Sequence, residues 1–329
     1  MWQIGNVKIK SQVVLAPMAG ITSLSYREFM KPFGIGYSVT EMISDEGIVH
    51  HNQKTIDYLK TSKLDRPVAI QLFGSKLDTT LKAIDIINHE LKIKYDILDI
   101  NLGCPVRKIT TGGAGSAWLK HPKKLYQYIK GIVECSSKPV TAKIRLGIDD
   151  KHLNYDEVIS LLTKAGVKAI AIHARTKKEL YSGAPHYNLL KDYGKKLKVP
   201  LIISGNIFTL DDAIKALKIT KAQAVMVARG GIGNPYLIKQ INHYLTKKIK
   251  LDNINQLDNI KYCRELAKAL IQEKGENRAI AILRSIAPKF FFAFKDAKKI
   301  RCEISQNIKS YKDLDTILKK VEKEIKHGK

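Results

Sequence analysis

The run Asn101-Leu102-Gly103-Cys104-Pro105 sets a cysteine between glycine and proline, which favours a turn and lifts the thiol out of a packed interior. The glycine-rich stretch Gly112-Gly113-Ala114-Gly115 follows closely. An ordinary thiol has a pKa of about 8.5, so it is mostly protonated at neutral pH and can give up a proton. No activating base lies nearby in sequence, and Cys104 reads as a general acid rather than a nucleophile. A second cluster is cationic. Lys143-Ile144-Arg145 alternates charges along a β-branched run, so one set must point into an interior. An unpaired cation there is costly, which calls for an anionic ligand or a carboxylate such as Glu41. His173-Ala174-Arg175 adds two more donors. Ser204-Gly205-Asn206 and Ala228-Arg229-Gly230-Gly231 place glycine where backbone N–H groups can approach a phosphate. Together these two loops suggest a phosphorylated cofactor, with FMN one candidate.

Residues this far apart need a scaffold that gathers strand ends. Strand-like runs occur at Val13–Met18, Tyr37–Met42, Val68–Phe73, Ile97–Asn101, Val140–Arg145, Ala169–His173, Leu201–Ser204 and Ala224–Ala228. Amphipathic stretches such as Leu77–Leu91, Lys123–Cys135, Tyr155–Ala165 and Leu210–Leu217 separate them. Eight β-then-α units predict parallel strands with helical crossovers. Polar residues recur at the strand ends (Glu41, Gln71, Asn101, Arg145, His173, Ser204), as expected where a barrel gathers them at one mouth. No G-x-G-x-x-G follows the first strand, which argues against an open dinucleotide-binding sheet. The fold class is therefore α/β, a (β/α)₈ TIM barrel over residues 1–245. Lys247–Gln256 reads as a linker, and residues 246–329 as a small C-terminal helical domain with helices over Ile260–Lys274, Asn277–Phe294 and Leu314–Ile325.

The chain has 329 residues, of which 44% are hydrophobic, enough for a sizeable core and too many for a disordered protein. Its formal net charge is +26, mostly from lysine, and draws polyanions. The last 85 residues hold 21 Lys+Arg against 11 Asp+Glu, so the positive charge is densest in the tail. Lysine-rich composition by itself could give a solvated surface; a basic helical tail behind a barrel points to nucleic acid. No run of eighteen apolar residues suggests a membrane span, and the four scattered cysteines suggest neither disulfides nor zinc. A cytoplasmic protein without membrane, metal or evident protein partner is expected.

Read together, these motifs resemble the tRNA-dihydrouridine synthases, specifically the bacterial B-type branch. The stretches that carry the resemblance are Ala16-Pro17-Met18-Ala19-Gly20-Ile21-Thr22, Gln71-Leu72-Phe73-Gly74, Asp99-Ile100-Asn101-Leu102-Gly103-Cys104-Pro105, Gly113-Ala114-Gly115-Ser116-Ala117, Lys143-Ile144-Arg145 and His173-Ala174-Arg175-Thr176. They run in order across nearly the whole barrel. The resemblance implies an FMN-dependent oxidoreductase that reduces uridines in tRNA to 5,6-dihydrouridine, with NADPH re-reducing the flavin. Pro17, Met18 and Ala19 would line the flavin and Gln71 would bond its pyrimidine edge. Lys143 and His173 would meet it too, with Ser204, Gly205, Asn206, Ala228 and Arg229 toward its ribityl chain and phosphate. Cys104 would protonate C5 while C6 takes hydride from reduced FMN, with Asn101 and Arg175 binding the substrate base. A uridine in folded RNA would have to swing out into the mouth, the tail gripping phosphates. The family usually has Asn-Gly-Asp where this chain has Ser204-Gly205-Asn206, which keeps the glycine and removes a carboxylate. Two rivals share the residues: an FMN barrel acting on a free pyrimidine, of the dihydroorotate type, and a non-catalytic RNA-binding protein.

Overall fold

The structure is a computed structural model that describes residues 1–292 and 294–327. A two-stranded antiparallel hairpin, β1 (Trp2–Ile4) and β2 (Val7–Ile9), opens the chain. Eight parallel strands then close into a barrel: β3 (Val13–Leu15), β4 (Tyr37–Ser44), β5 (Val68–Phe73), β6 (Ile97–Asn101), β7 (Val140–Arg145), β8 (Ala169–His173), β9 (Leu201–Ser204) and β10 (Ala224–Val227). All eight expected strands are present. The first is shorter than predicted, because beyond Ala16, whose N–H still donates to the Val227 carbonyl at 2.9 Å, the chain turns into a loop.

Side-chain alternation explains why the polar strand ends meet. On β8, Ile170 and Ile172 face the helical shell, while Ala169, Ala171 and His173 face the lumen. The lower lumen is narrow and filled by small residues such as Ala69, Ala169 and Ala224, with Trp2, Ile4 and Ile9 of the hairpin packed against the same cluster. Sequence reasoning missed this hairpin, whose strands are three residues long and joined through Gly5 at φ +57°. One step up each strand the lumen turns polar, with Gln71, Asp99, Asn101, Thr141 and Lys143. On β4 a bulge between Val39 and Met42 shifts the alternation, so Met42 enters the mouth.

The tail is helical, as predicted, but its elements differ. Helices span Gln256–Lys274, Glu276–Ile286, Ala297–Asn307 and Tyr311–Lys326. The stretch expected as one helix to Phe294 ends at Ile286 and continues as a 3₁₀ turn, Ala287–Phe291, in which Pro288 sits within the first turn. Helix Ala297–Asn307 escaped notice because only Ile300 and Ile304 on it are buried. The preceding helix, Tyr236–Lys247, runs two residues past Leu245. Tail residues such as Ile260, Leu283, Phe290 and Leu318 share one apolar cluster with Met30 and Ile238 of the barrel's shell. Tyr262 also meets Phe33 edge-on, with ring centroids 4.9 Å apart. The tail's core is thus continuous with the barrel's outer core. No helix among the described residues is long and apolar enough to cross a membrane.

Candidate active site

The strand C-termini surround a cavity of about 370 Å³. Pro17, Met18, Ala19, Gln71, Asn101, Cys104, Lys143, His173, Ser204, Gly205, Asn206, Ala228 and Arg229 all line it. These are all of the residues expected to bind or react except Arg175. Its mouth position is where barrels of this kind carry chemistry.

A chain of side-chain hydrogen bonds fixes the cysteine. Asp99, fully enclosed between strands, accepts from Thr141 Oγ1 at 2.5 Å and from Gln71 Nε2 at 2.6 Å. Gln71 Oε1 accepts from Asn101 Nδ2 at 2.8 Å. Asn101 Oδ1 in turn accepts the backbone N–H groups of Gly103 at 3.2 Å and Cys104 at 2.9 Å. Asn101 therefore has its oxygen occupied twice, and it clamps the cysteine loop rather than reaching freely for a ligand. Ser116 completes the clamp, bonding the Cys104 carbonyl through its N–H at 3.1 Å and its hydroxyl at 2.9 Å. Burial pushes the Cys104 thiol above its ordinary value, although the backbone N–H of Val106 and the cations Arg145 and Lys143 pull the other way. The group is held as a protonated thiol at neutral pH.

Two cations behave differently. Arg145 is 2% exposed and spent on carbonyls: Gly103 at 2.9 Å, and Thr176 and Leu180 both at 2.8 Å. It ties the cysteine loop to the loop after β8. The Lys143 ammonium has no ion pair or hydrogen bond among the described residues, although its backbone carbonyl accepts the Leu102 N–H at 2.8 Å. Burial, and secondarily Arg145, lower it to about 8, against an attraction to Asp99. It does not pair with Glu41, which instead accepts the Gly20 N–H. Arg229, likewise without an ion pair among the described residues, lies over the Tyr181 ring at 4.7 Å and the Phe208 ring at 5.5 Å. Its guanidinium donates to Asn206 Oδ1 at 3.5 Å. Gly230 beside it is obligatory: a Cβ there would lie 1.9 Å from the Ile207 carbonyl oxygen.

Arg175 sits elsewhere. It is 0% exposed, bonds the Ser182 carbonyl at 2.8 Å and also the Gly183 carbonyl, and donates to His173 Nε2 at 3.1 Å. It is not among the cavity-lining residues and holds His173 from behind, while the expected substrate-binding residue Asn101 and the cofactor-binding residue His173 both line the cavity. Because a guanidinium only donates, Nε2 must accept, leaving the proton of neutral His173 on Nδ1. Burial first, then Lys143, Arg145, Arg175 and Arg229, drive His173 far below its ordinary value, so the ring stays neutral. Sequence reasoning missed Tyr181, Phe208, Met42 and Val106, which also line the cavity. Tyr181 and Phe208, 54% and 45% exposed, are in loops where composition gives no signal for which way a ring points. Outside the cavity lining, Asp150, Glu179 and His186 bring ligand atoms within 4.8 Å of one another, but Glu179 is already bonded to Thr176 and His186.

The family model described as dihydrouridine synthase (Dus) matches residues 14–326, almost the full length, so barrel and tail are matched together. The chain belongs to the dihydrouridine synthase family. It is 32% identical over 288 residues to a probable tRNA-dihydrouridine synthase of Rickettsia bellii, covering 86% of each chain. It is 32% identical over 277 residues to tRNA-dihydrouridine synthase B of Pasteurella multocida, covering 83% of this chain and 82% of the relative. The corresponding figures for tRNA-dihydrouridine synthase B of Vibrio vulnificus are 33% over 243 residues and 74% of each. The B-type resemblance read from the motifs is borne out. Among solved structures, histamine dehydrogenase from Rhizobium sp. 4-9 matches with a TM-score of 0.56 at 13% identity, over 82% of this chain and 50% of that one; at this identity the match supports the barrel fold alone.

Proposed function

We propose that this chain reduces uridines in tRNA to 5,6-dihydrouridine, with FMN in the mouth and NADPH as reductant. The observation that carries the reading is Lys143: a half-buried cation whose ammonium has no ion pair or hydrogen bond among the described residues, facing a cavity beside a thiol held protonated. Such a group fits an anionic or electron-accepting ring that is itself buried. Arg229 and Gly205, with the loop that Gly230 packs tightly against Ile207, fit a phosphate at the other end. The residues present thus suit FMN, and a bound flavin supplies hydride-transfer chemistry that no side chain here can perform.

The chain's own part is position, charge and a proton. Pro17, Met18, Ala19 and Met42 give the cavity an apolar wall. Lys143 balances negative charge developing within the mouth, and neutral His173 offers Nδ1–H as a donor without adding a further cation. Reduction of the uracil C5=C6 bond builds negative charge at C5 and O4. Cys104 Sγ–H delivers the proton to C5 and is later reprotonated from solvent. Residues 1–245 carry this chemistry, and residues 246–329 supply the dense positive charge that holds tRNA phosphates. A free pyrimidine would need no such tail. The setting is cytoplasmic. Incubating the protein with unmodified tRNA, FMN and NADPH should yield dihydrouridine in the digested RNA, and Lys143→Met should not. Equal yield from Lys143→Met would remove the observation on which the reading stands.

A further inference from the structure

We propose that Glu273, on the tail, is a positioning residue for the cofactor-facing wall of the mouth. That wall is the Ala16–Ser23 segment, which contributes Pro17, Met18, Ala19 and Ile21 to the cavity. Helix Leu24–Met30 begins where the segment ends. It has seven residues, no acid in its first turn, and an Ncap, Ser23, whose side chain caps nothing. A helix this short and uncapped is weak by itself. The missing partner comes from 248 positions away: Glu273 Oε2 accepts the Ser25 N–H at 2.8 Å. Its other oxygen pairs with Lys274 Nζ at 3.2 Å, which fixes the carboxylate. Glu273 lies in the last turn of its own helix, Gln256–Lys274, where an acid opposes the macrodipole. Its placement makes sense for the helix it caps, not for the one it belongs to.

The other end of the wall is held by the barrel. The β4 bulge directs Glu41 to the Gly20 N–H. Gly20, at φ +74°, is a backbone turn that needs such a tether. Pro17, Met18 and Ala19 therefore precede a barrel clamp, Glu41, and the segment ends at a tail clamp, Glu273. The tail then shapes the site as well as gripping RNA, and the wall loosens when the tail clamp is removed.

This inference rests on the reading that the mouth holds FMN. The test uses full-length protein and flavin fluorescence, which recovers on release, alongside thermal unfolding. Glu273→Ala should weaken FMN binding about three- to tenfold, the effect of losing one capping hydrogen bond. Glu273→Gln keeps an acceptor oxygen and should retain most of the affinity. Ile304→Ala, in the tail core away from the joint, should lower thermal stability yet leave FMN affinity unchanged. Wild-type affinity in Glu273→Ala, or equal loss in Ile304→Ala, overturns the coupling while leaving the site reading intact. Failure of the wild type to hold FMN overturns both.

Discussion

At the scale of single residues, Cys104 and Lys143 carry the account, and each has its own signature. Cys104→Ala should keep FMN and remain reducible by NADPH, while the tRNA-dependent step slows by about 10²–10⁴-fold, as for a lost general acid. Rapid mixing under anaerobic conditions measures that step alone; a near-normal rate would leave the proton donor unassigned. For Lys143, the folded group titrates at about 8 against an ordinary 10.5. Below about pH 8 the protein bears the cost of a desolvated cation facing Arg145, offset by Asp99, while Cys104 stays neutral there. That cost lifts between pH 8 and 10.5 as the folded group sheds its proton. Without cofactor, Lys143→Met should therefore be more stable than wild type at pH 7, by about 1–3 kcal/mol, with the difference vanishing by pH 10.5. The same variant should bind FMN about tenfold or more weakly. A less stable Lys143→Met at pH 7 would mean the lysine is a structural residue. Both residues were legible from sequence, since a thiol in a Gly-x-Pro turn and a cation on a β-branched run are each anomalous in a packed core. Arg175 was not legible in the same way. Its position two residues after His173 fixes the strand end but not the fold-back of the loop, whose Ser182 and Gly183 carbonyls claim its guanidinium.

At the scale of elements, the eight strands followed from β-branched runs, because a buried parallel strand cannot hide its apolar content. What composition could not show was where alternation breaks. The bulge in β4 moves Met42 into the mouth and frees Glu41 for Gly20, and no residue there announces it. Pro288 ended a helix that periodicity alone would have continued. The β10 loop offers a direct test of element geometry. Gly230→Ala forces a methyl to 1.9 Å from the Ile207 carbonyl oxygen, so the loops after β9 and β10 must part. FMN affinity should fall by about tenfold or more, with far smaller change in barrel content by circular dichroism. An unchanged affinity would detach these loops from the phosphate.

At the scale of the whole molecule, barrel and tail share one outer core, so a cut after Leu245 exposes the shell around Met30 and Phe33. The truncated chain should aggregate instead of yielding a free barrel, and point substitutions are the cleaner probe of the tail. Affinity for tRNA should fall steeply with salt, losing about 10³–10⁵ between 50 and 200 mM if six to ten phosphates are neutralised. A shallow slope would contradict a tail that grips the backbone. The central claim, that the mouth reduces a uridine presented by RNA, is tested most directly by mixing the pre-reduced full-length protein anaerobically with either unmodified tRNA or a free pyrimidine and following flavin absorbance. Unmodified tRNA should reoxidise the protein, and free uracil or orotate should not. Reoxidation by the free pyrimidine with none by tRNA would contradict it.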